Sequence, residues 1–152
     1  MKDIKIKDVL KQIEGEIIFG DENETIIDVS IDTRNLKEGD TFIAIKGELN
    51  NGNTYCNTAF KNGAKICIVD ELMLTDEEKK NYNDGKRTLI KVKDGKKALI
   101  ELAKYKRDLY DIPVIAVTGS VGKTSTKDAI ASVLSQKYKV LKTQGNYNNE
   151  IG

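Results

Sequence analysis

The strongest constraint on the fold is the run Pro113-Val114-Ile115-Ala116-Val117-Thr118, which has no polar alternation and passes directly into Gly119-Ser120-Val121-Gly122-Lys123-Thr124-Ser125. Strands buried on both faces of a parallel sheet read this way, because helices cover both sides of such a sheet. A glycine-containing loop that opens a helix at Gly-Lys-Thr gathers the unpaired N–H groups of the first turn around one point, and the helix dipole makes that point positive. The spacing therefore predicts a phosphate-binding loop built from Thr118, Gly119, Ser120, Val121, Gly122, Lys123, Thr124 and Ser125. Lys123 would bring a full positive charge to the terminal phosphates of a nucleotide, and the Thr124 hydroxyl would ligate Mg2+. These two carry the catalytic expectation, with Thr124 the metal ligand. The commonest form of this loop has a glycine six residues before the lysine, where this chain has Val117; Gly119 lies four before it, so the loop is a compact variant. The competing reading is a plain strand-to-helix turn with a solvated Lys123. It is disfavoured because a cation in a first helical turn is unfavourable unless an anion neutralises it. Neither an Asn-Lys-x-Asp nor an Asp-x-x-Gly string accompanies the loop, so ATP rather than GTP is the expected nucleotide.

A helix running to about Lys137 and a second strand at Lys139 to Thr143 follow the loop. Two strands and one helix bury too little surface for an independent parallel α/β domain. The expectation is the truncated start, 113–152, of an ATP-binding domain.

The preceding residues read differently. Apolar stretches at Glu16 to Phe19, Ile26 to Ile31 and Thr41 to Ile45 alternate with glycines, after a short amphipathic turn of helix at Asp8 to Ile13. Thr54 to Asn62 reads as helix, Ala64 to Asp70 as strand, Glu71 to Arg87 as a charged surface segment with a short helix, and Thr88 to Val92 as strand. These elements predict an α/β chain whose first domain, 1–93, is a small mixed sheet. Ala98, Leu99, Leu102, Ala103 and Leu109 fall at helical spacing, and residues 94–112 are expected to form a helix linking the two units.

Composition excludes some partners. With 25 Lys plus Arg against 24 Asp plus Glu there is no bulk positive field to attract nucleic acid. The N-terminal residues alternate charge and apolar side chains, which predicts neither a secretory signal nor membrane insertion and leaves the cytoplasm as the expected compartment. Cys56 and Cys67 have no CxxC spacing and no histidine to complete a zinc site, so buried, idle thiols are expected.

Two separated segments carry a resemblance. Thr118 to Lys127, followed by Lys142-Thr143-Gln144-Gly145-Asn146-Tyr147-Asn148-Asn149-Glu150-Ile151-Gly152, is similar to the Mur ligase family. So are Ser30-Ile31-Asp32-Thr33-Arg34 and Gly39 to Gly47. The likeness spans essentially the whole chain. Asp32-Thr33-Arg34 stands where the family commonly has Asp-Ser-Arg, which keeps the hydroxyl, and Asn51-Gly52-Asn53 where it commonly has Asp-Gly-His, which removes a charge and an imidazole.

The resemblance implies an ATP-dependent amide ligase of peptidoglycan precursor synthesis that joins D-alanyl-D-alanine to a UDP-N-acetylmuramoyl tripeptide through an acyl phosphate. It implies ATP and Mg2+ as cofactors, UDP-N-acetylmuramoyl peptide and D-alanyl-D-alanine as partners, and an inactive or partial fragment in these 152 residues. Thr33, Arg34 and Gly47 would hold the UDP end of the substrate. Asn146, Asn148 and Asn149 would line a ligand site beside the phosphate loop. Blander readings stand beside these: Asp32 with Arg34 as a surface ion pair, the asparagines as a loop, and Tyr147 as either stacking or packing. At the level of function the alternatives are a family member that adds the third peptide residue, or a UDP-sugar or nucleotide-binding module without chemistry.

Overall fold

A computed structural model describes residues 3–144. In chain order the elements are β1 (Ile4–Lys5), α1 (Ile6–Val9), β2 (Glu16–Phe19), β3 (Thr25–Ile26), β4 (Val29–Ser30), β5 (Thr41–Ile43), α2 (Cys56–Lys61), β6 (Ile66–Val69), α3 (Asp76–Tyr82), β7 (Thr88–Lys91), α4 (Gly95–Asp108) and α5 (Lys123–Leu134). Single 3-10 turns at Thr33–Asn35 and Gly52–Tyr55 follow β4 and precede α2. The chain divides into two units, Met1–Tyr110 and Asp111–Gly152.

In the first unit five strands form one mixed sheet in the order β2-β7-β6-β5-β4. The strands β4 to β7 pair in parallel, and β2 lies antiparallel against β7. Strand β6 is buried along its whole length, which explains its unbroken apolar run Ile66-Cys67-Ile68-Val69. Alternate side chains go to opposite faces. Ile43, Ile66, Ile68 and Ile90 meet α1 and α4 through Ile6, Val9, Ala98 and Leu102. Phe42, Cys67, Val69 and Leu89 meet α2 through Cys56, Ala59 and Phe60. Both cysteines are free and buried, as expected. Burial pushes the Cys67 thiol well up, which keeps it protonated and unreactive.

The differences from sequence expectation have local causes. The Ile26 to Ile31 run is split: β3 pairs with β1 in a separate two-stranded ribbon, while β4 joins the main sheet. Asp28 sits at the crossover, its carbonyl accepting from the Thr41 N–H at 2.8 Å. Helix α4, expected as a link, packs Ala98 and Leu102 into the core of the first unit. No helix among the described residues is long and apolar enough to cross a membrane.

In the second unit the two predicted strands require correction. Residues 113–118 and 139–143 form no strand, and Val114 and Ile115 are 67% and 59% exposed rather than buried on both faces. A parallel strand exists only through the ladder its neighbours supply, and among the described residues neither run has a pairing partner. Helix α5 does form, and ends at Leu134, short of the expected Lys137, in a tight turn that runs on to Tyr138.

Candidate functional site

The predicted phosphate loop is shaped by two glycines. Gly122 adopts φ +81° as the residue preceding α5, and Gly119 adopts φ +150°. Both values disfavour a side chain, and nothing lies within 4 Å of where a Cβ on Gly122 would sit. Space therefore remains open above the start of the helix. No side chain caps α5, whose Thr126 N–H donates to the Gly122 carbonyl at 2.9 Å. Lys123 Nζ folds back over the loop and donates to the Gly119 carbonyl at 2.6 Å. An ammonium has three donors, so this tether leaves capacity for an anion at the loop mouth. Thr118, Gly119, Ser120, Val121, Gly122, Lys123, Thr124 and Ser125 are contiguous and exposed.

This donor set fits a nucleotide phosphate: a helix start without a side-chain cap, one cation held across the loop, and hydroxyls on Ser120, Thr124 and Ser125. It fits a phosphate-bound Mg2+ as well, since that ion needs only one or two protein oxygens besides phosphate and water. Among the described residues no group of three His, Cys, Asp or Glu could hold a metal ion. Thr124, the predicted Mg2+ ligand, lies in the first turn of α5.

Behind the loop, α5 is tied to the segment that follows it. Lys142 Nζ donates to Asp128 Oδ1 at 2.7 Å, and Lys127 Nζ donates to the Thr143 carbonyl at 2.7 Å. Lys142 holds the Asp128 carboxyl below its ordinary pKa. Asn146, Asn148 and Asn149 lie outside the described residues.

The second group of predicted residues sits in the first unit. Strands β4 to β7 run parallel, so their C-terminal ends share one edge of the sheet, the edge at which open α/β sheets bind ligands. Thr33 and Arg34 follow β4 and Gly47 follows its neighbour β5, so the topology brings all three to that edge. Asp32 sets the Thr33–Asn35 turn: its Oδ1 accepts from the Arg34 N–H at 3.0 Å. Its carboxylate also accepts from Arg34 Nε at 2.9 and 3.1 Å and from Nη2 at 2.6 Å. This is the ion pair of the blander reading, yet the Arg34 side chain remains 86% exposed. Asp32 engages one edge of its fork of five N–H donors, through Nε and Nη2. The guanidinium hydrogen bonds hold the Asp32 carboxyl down at about 2. The Thr33 carbonyl accepts from Asn62 Nδ2 at 2.9 Å, which fastens this turn to the end of α2.

Gly47 opens a tight turn, its N–H donating to the Asn50 carbonyl at 2.8 Å, and Lys46 and Asn51 pair across the base. Leu49 at the tip is 96% exposed. Beneath the turn lies a polar network that sequence reasoning missed. Asn53 is fully buried. Its Nδ2 donates to Asn51 Oδ1 at 2.8 Å and to Asp70 Oδ1 at 2.5 Å, and its Oδ1 accepts from the N–H groups of Asp70 and Glu71 at 3.1 and 3.2 Å. Asp70 Oδ2 accepts from the Gly95 N–H at 3.1 Å, and Glu71 binds Asn51 Nδ2 at 2.7 Å and Lys46 Nζ at 2.5 Å. The only sequence signal was Asn51-Gly52-Asn53, which looks like a turn until β5 and β6 are placed side by side. The departure at position 51 also acquires a reason: an aspartate there would set a second carboxylate against Glu71, whereas the asparagine amide donates to it.

Comparison with known proteins supplies independent findings. A family profile described as "Mur ligase family, catalytic domain" matches residues 25–107, and one described as "Mur ligase middle domain" matches residues 117–152. The chain is similar to a UDP-N-acetylmuramoyl-tripeptide--D-alanyl-D-alanine ligase of Synechocystis, 41% identical over 86% of this chain and 27% of that protein. It is also similar to a UDP-N-acetylmuramoyl-L-alanyl-D-glutamate--2,6-diaminopimelate ligase of Clostridium tetani, 34% identical over 98% of this chain and 30% of that protein. Among solved structures it resembles the MurF ligase of Thermotoga maritima in complex with ADP, with TM-score 0.69 and 30% identity over 82% of this chain and 27% of that one. The chain thus spans less than a third of the length of these relatives.

Proposed function

The chain belongs to the Mur ligase family, and from that premise we propose that it carries the nucleotide-binding loop and the UDP-recognising edge of a ligase that adds D-alanyl-D-alanine to UDP-N-acetylmuramoyl-tripeptide. A carboxylate does not acylate an amine at neutral pH. In the proposed reaction the tripeptide carboxylate takes the γ-phosphoryl group of ATP, ADP leaves, and the amine of the dipeptide attacks the acyl phosphate and expels phosphate. Little covalent work falls to the protein, and the barrier is lowered by positioning and charge. Residues 119–125 hold the phosphates at the helix start, and Lys123 offsets negative charge on the transferred group. Mg2+, when bound beside Thr124, would neutralise further phosphate charge. Thr33, Arg34 and Gly47 hold the UDP end, with Arg34 kept in register by Asp32. Such a reaction belongs in the cytoplasm, where ATP is available.

One observation carries this reading: α5 starts at a left-handed glycine, without a side-chain cap, with Lys123 drawn across its mouth. The relative in complex with ADP supports an adenine nucleotide as ligand, and the Synechocystis relative supports the dipeptide as the group added. The similarity to a diaminopimelate ligase favours a second reading, a ligase that adds the third residue. Titrating the chain with Mg-ADP and with UDP-N-acetylmuramoyl peptides while recording amide NMR spectra tests both. Mg-ADP should move the amides of residues 119–125 in wild type and not in Lys123→Ala, and the UDP-tripeptide should move those of residues 33, 34 and 47. No change at the loop would refute the nucleotide assignment, and preference for UDP-dipeptide would select the second reading.

A further inference from the structure

We infer that Asn53 is a positioning residue for substrate, acting through the Gly47–Asn50 turn; this rests on the proposal that the sheet edge carrying Gly47 holds the UDP end. A carboxamide offers two N–H donors and an oxygen with two lone pairs. All four are used by Asn53, on Asn51, Asp70 twice and Glu71, while the side chain is fully buried. A buried polar group so completely satisfied fixes the geometry of everything it touches.

What it touches is the loop that leaves β5. Asn51 Oδ1 accepts from both the backbone N–H and the side chain of Asn53, at 3.0 and 2.8 Å, so Asn53 determines where Asn51 sits. Asn51 pairs with Lys46 to close the base of the turn, and the Gly52 N–H donates to the Ile45 carbonyl at 3.0 Å. A Cβ on Gly52 would meet Ile45 backbone atoms at 2.6 Å, so this strand-to-turn contact has no slack. On its other side Asn53 grips Asp70, whose second oxygen holds the first N–H of α4. The turn is thereby referenced to two parallel strands and a helix, although its tip, Glu48-Leu49-Asn50, is exposed. Without the Asn53 side chain the turn keeps its own backbone bonds and the Glu71 contacts, but loses its tie to Asp70 and through it to β6 and α4.

The test uses the 152-residue chain with UDP-N-acetylmuramoyl-tripeptide as probe, comparing wild type, Asn53→Ala, Asn53→Asp, Leu49→Ala and the Asn53→Ala/Leu49→Ala double variant. Asn53→Ala should bind on the order of tenfold more weakly at a temperature where circular dichroism shows it fully folded. Amide exchange at Gly47 should quicken while that of β6 is unchanged. Asn53→Asp, which replaces the donor facing Asp70 by an acceptor, should lose at least as much. The inference has the turn meet the substrate through its exposed tip, where Leu49 is 96% exposed, so the effect of Asn53→Ala should shrink once Leu49 is truncated, a coupling that a purely structural role would not produce. A folded Asn53→Ala that binds as wild type, or equal losses in both Leu49 backgrounds, would overturn the inference. Should Asn53→Ala not fold, Asn53→Asp and the Gly47 exchange rate decide. Failure of wild type to bind the probe would instead refute the substrate-edge assignment itself.

Discussion

Replacing Gly95 by alanine is expected to destabilise the first unit severely, although alanine is the better helix former. Gly95 is the first residue of α4 and packs against the strand edge, so that an added Cβ would lie 2.0 Å from the Ala44 carbonyl oxygen. Ordinary contact begins at 3.4 Å, so something must move by 1.4 Å. Ala44 has little freedom: it is fully buried and its N–H donates to the Ile68 carbonyl at 2.9 Å. The start of α4 must therefore retreat, and the 3.1 Å bond from the Gly95 N–H to Asp70 is lost with it. Overpacking typically costs about 1–3 kcal/mol and a hydrogen bond to a charged group contributes about 1.5–3 kcal/mol. Helix propensity returns at most about 1 kcal/mol, less in a first turn. The net expectation is a loss of about 2–5 kcal/mol, a large share of the roughly 5–15 kcal/mol available to a domain. Urea unfolding followed by far-UV circular dichroism should show the midpoint falling by about 1–2 M, at a typical urea slope. Gly85→Ala is the control: Gly85, unlike Gly95, needs a left-handed backbone (φ +76°) but has nothing within 4 Å, so only the backbone cost of about 1–2 kcal/mol should appear. A Gly95→Ala midpoint equal to wild type would show that α4 does not press on Ala44 and would refute the packing argument.

Three further outcomes follow from other parts of the molecule. Phe60 sits between Phe19 and Tyr82, with ring centroids at 6.2 and 4.8 Å, and Phe60→Ala should cost about 3–5 kcal/mol in the same unfolding assay; a loss under about 1 kcal/mol would contradict its place in the core. Asp32 should titrate at about 2 by carbon-detected NMR and move back toward 3.8 in Arg34→Ala. Its folded value lies below the unfolded one, so the stabilisation is complete above 3.8 and fades as pH falls toward about 2; an unshifted titration would mean that Arg34 is not held in place. Gly122→Ala has room for its methyl but not the backbone conformation, so calorimetry should show weakened Mg-ADP binding with the chain still folded, and unchanged affinity would count against the glycine's role.

Much of the first unit was readable because each strand carries its own signal. The Ile66 to Val69 run and the Leu89-Ile90 pair are apolar enough to demand burial on two faces, and glycines mark the turns between elements. The break at Ile27-Asp28 was not readable, since β3 and β4 differ in which strand they pair with and not in composition. The same holds for residues 113–118, whose apolar character was plain and whose strand did not form. For the candidate sites, Lys123 and the two glycines were singled out by spacing. The alignment of Arg34 by Asp32 was only one of two readings until the bonds were seen.

Local chemistry, then, is what the residue order determined: where helices start, where glycines mark turns, and which side chains could meet a phosphate. These depend on a few neighbours in the chain, so they can be read one segment at a time. Only tertiary structure decided that Asn53 is a buried hub and that Gly95 must lack a side chain. Each depends on β5, β6 and α4 meeting at one edge, where residues 17 to 51 positions apart in sequence come within hydrogen-bond or contact distance. Contacts of that kind are set by how strands pair, and no run of neighbouring residues encodes them alone.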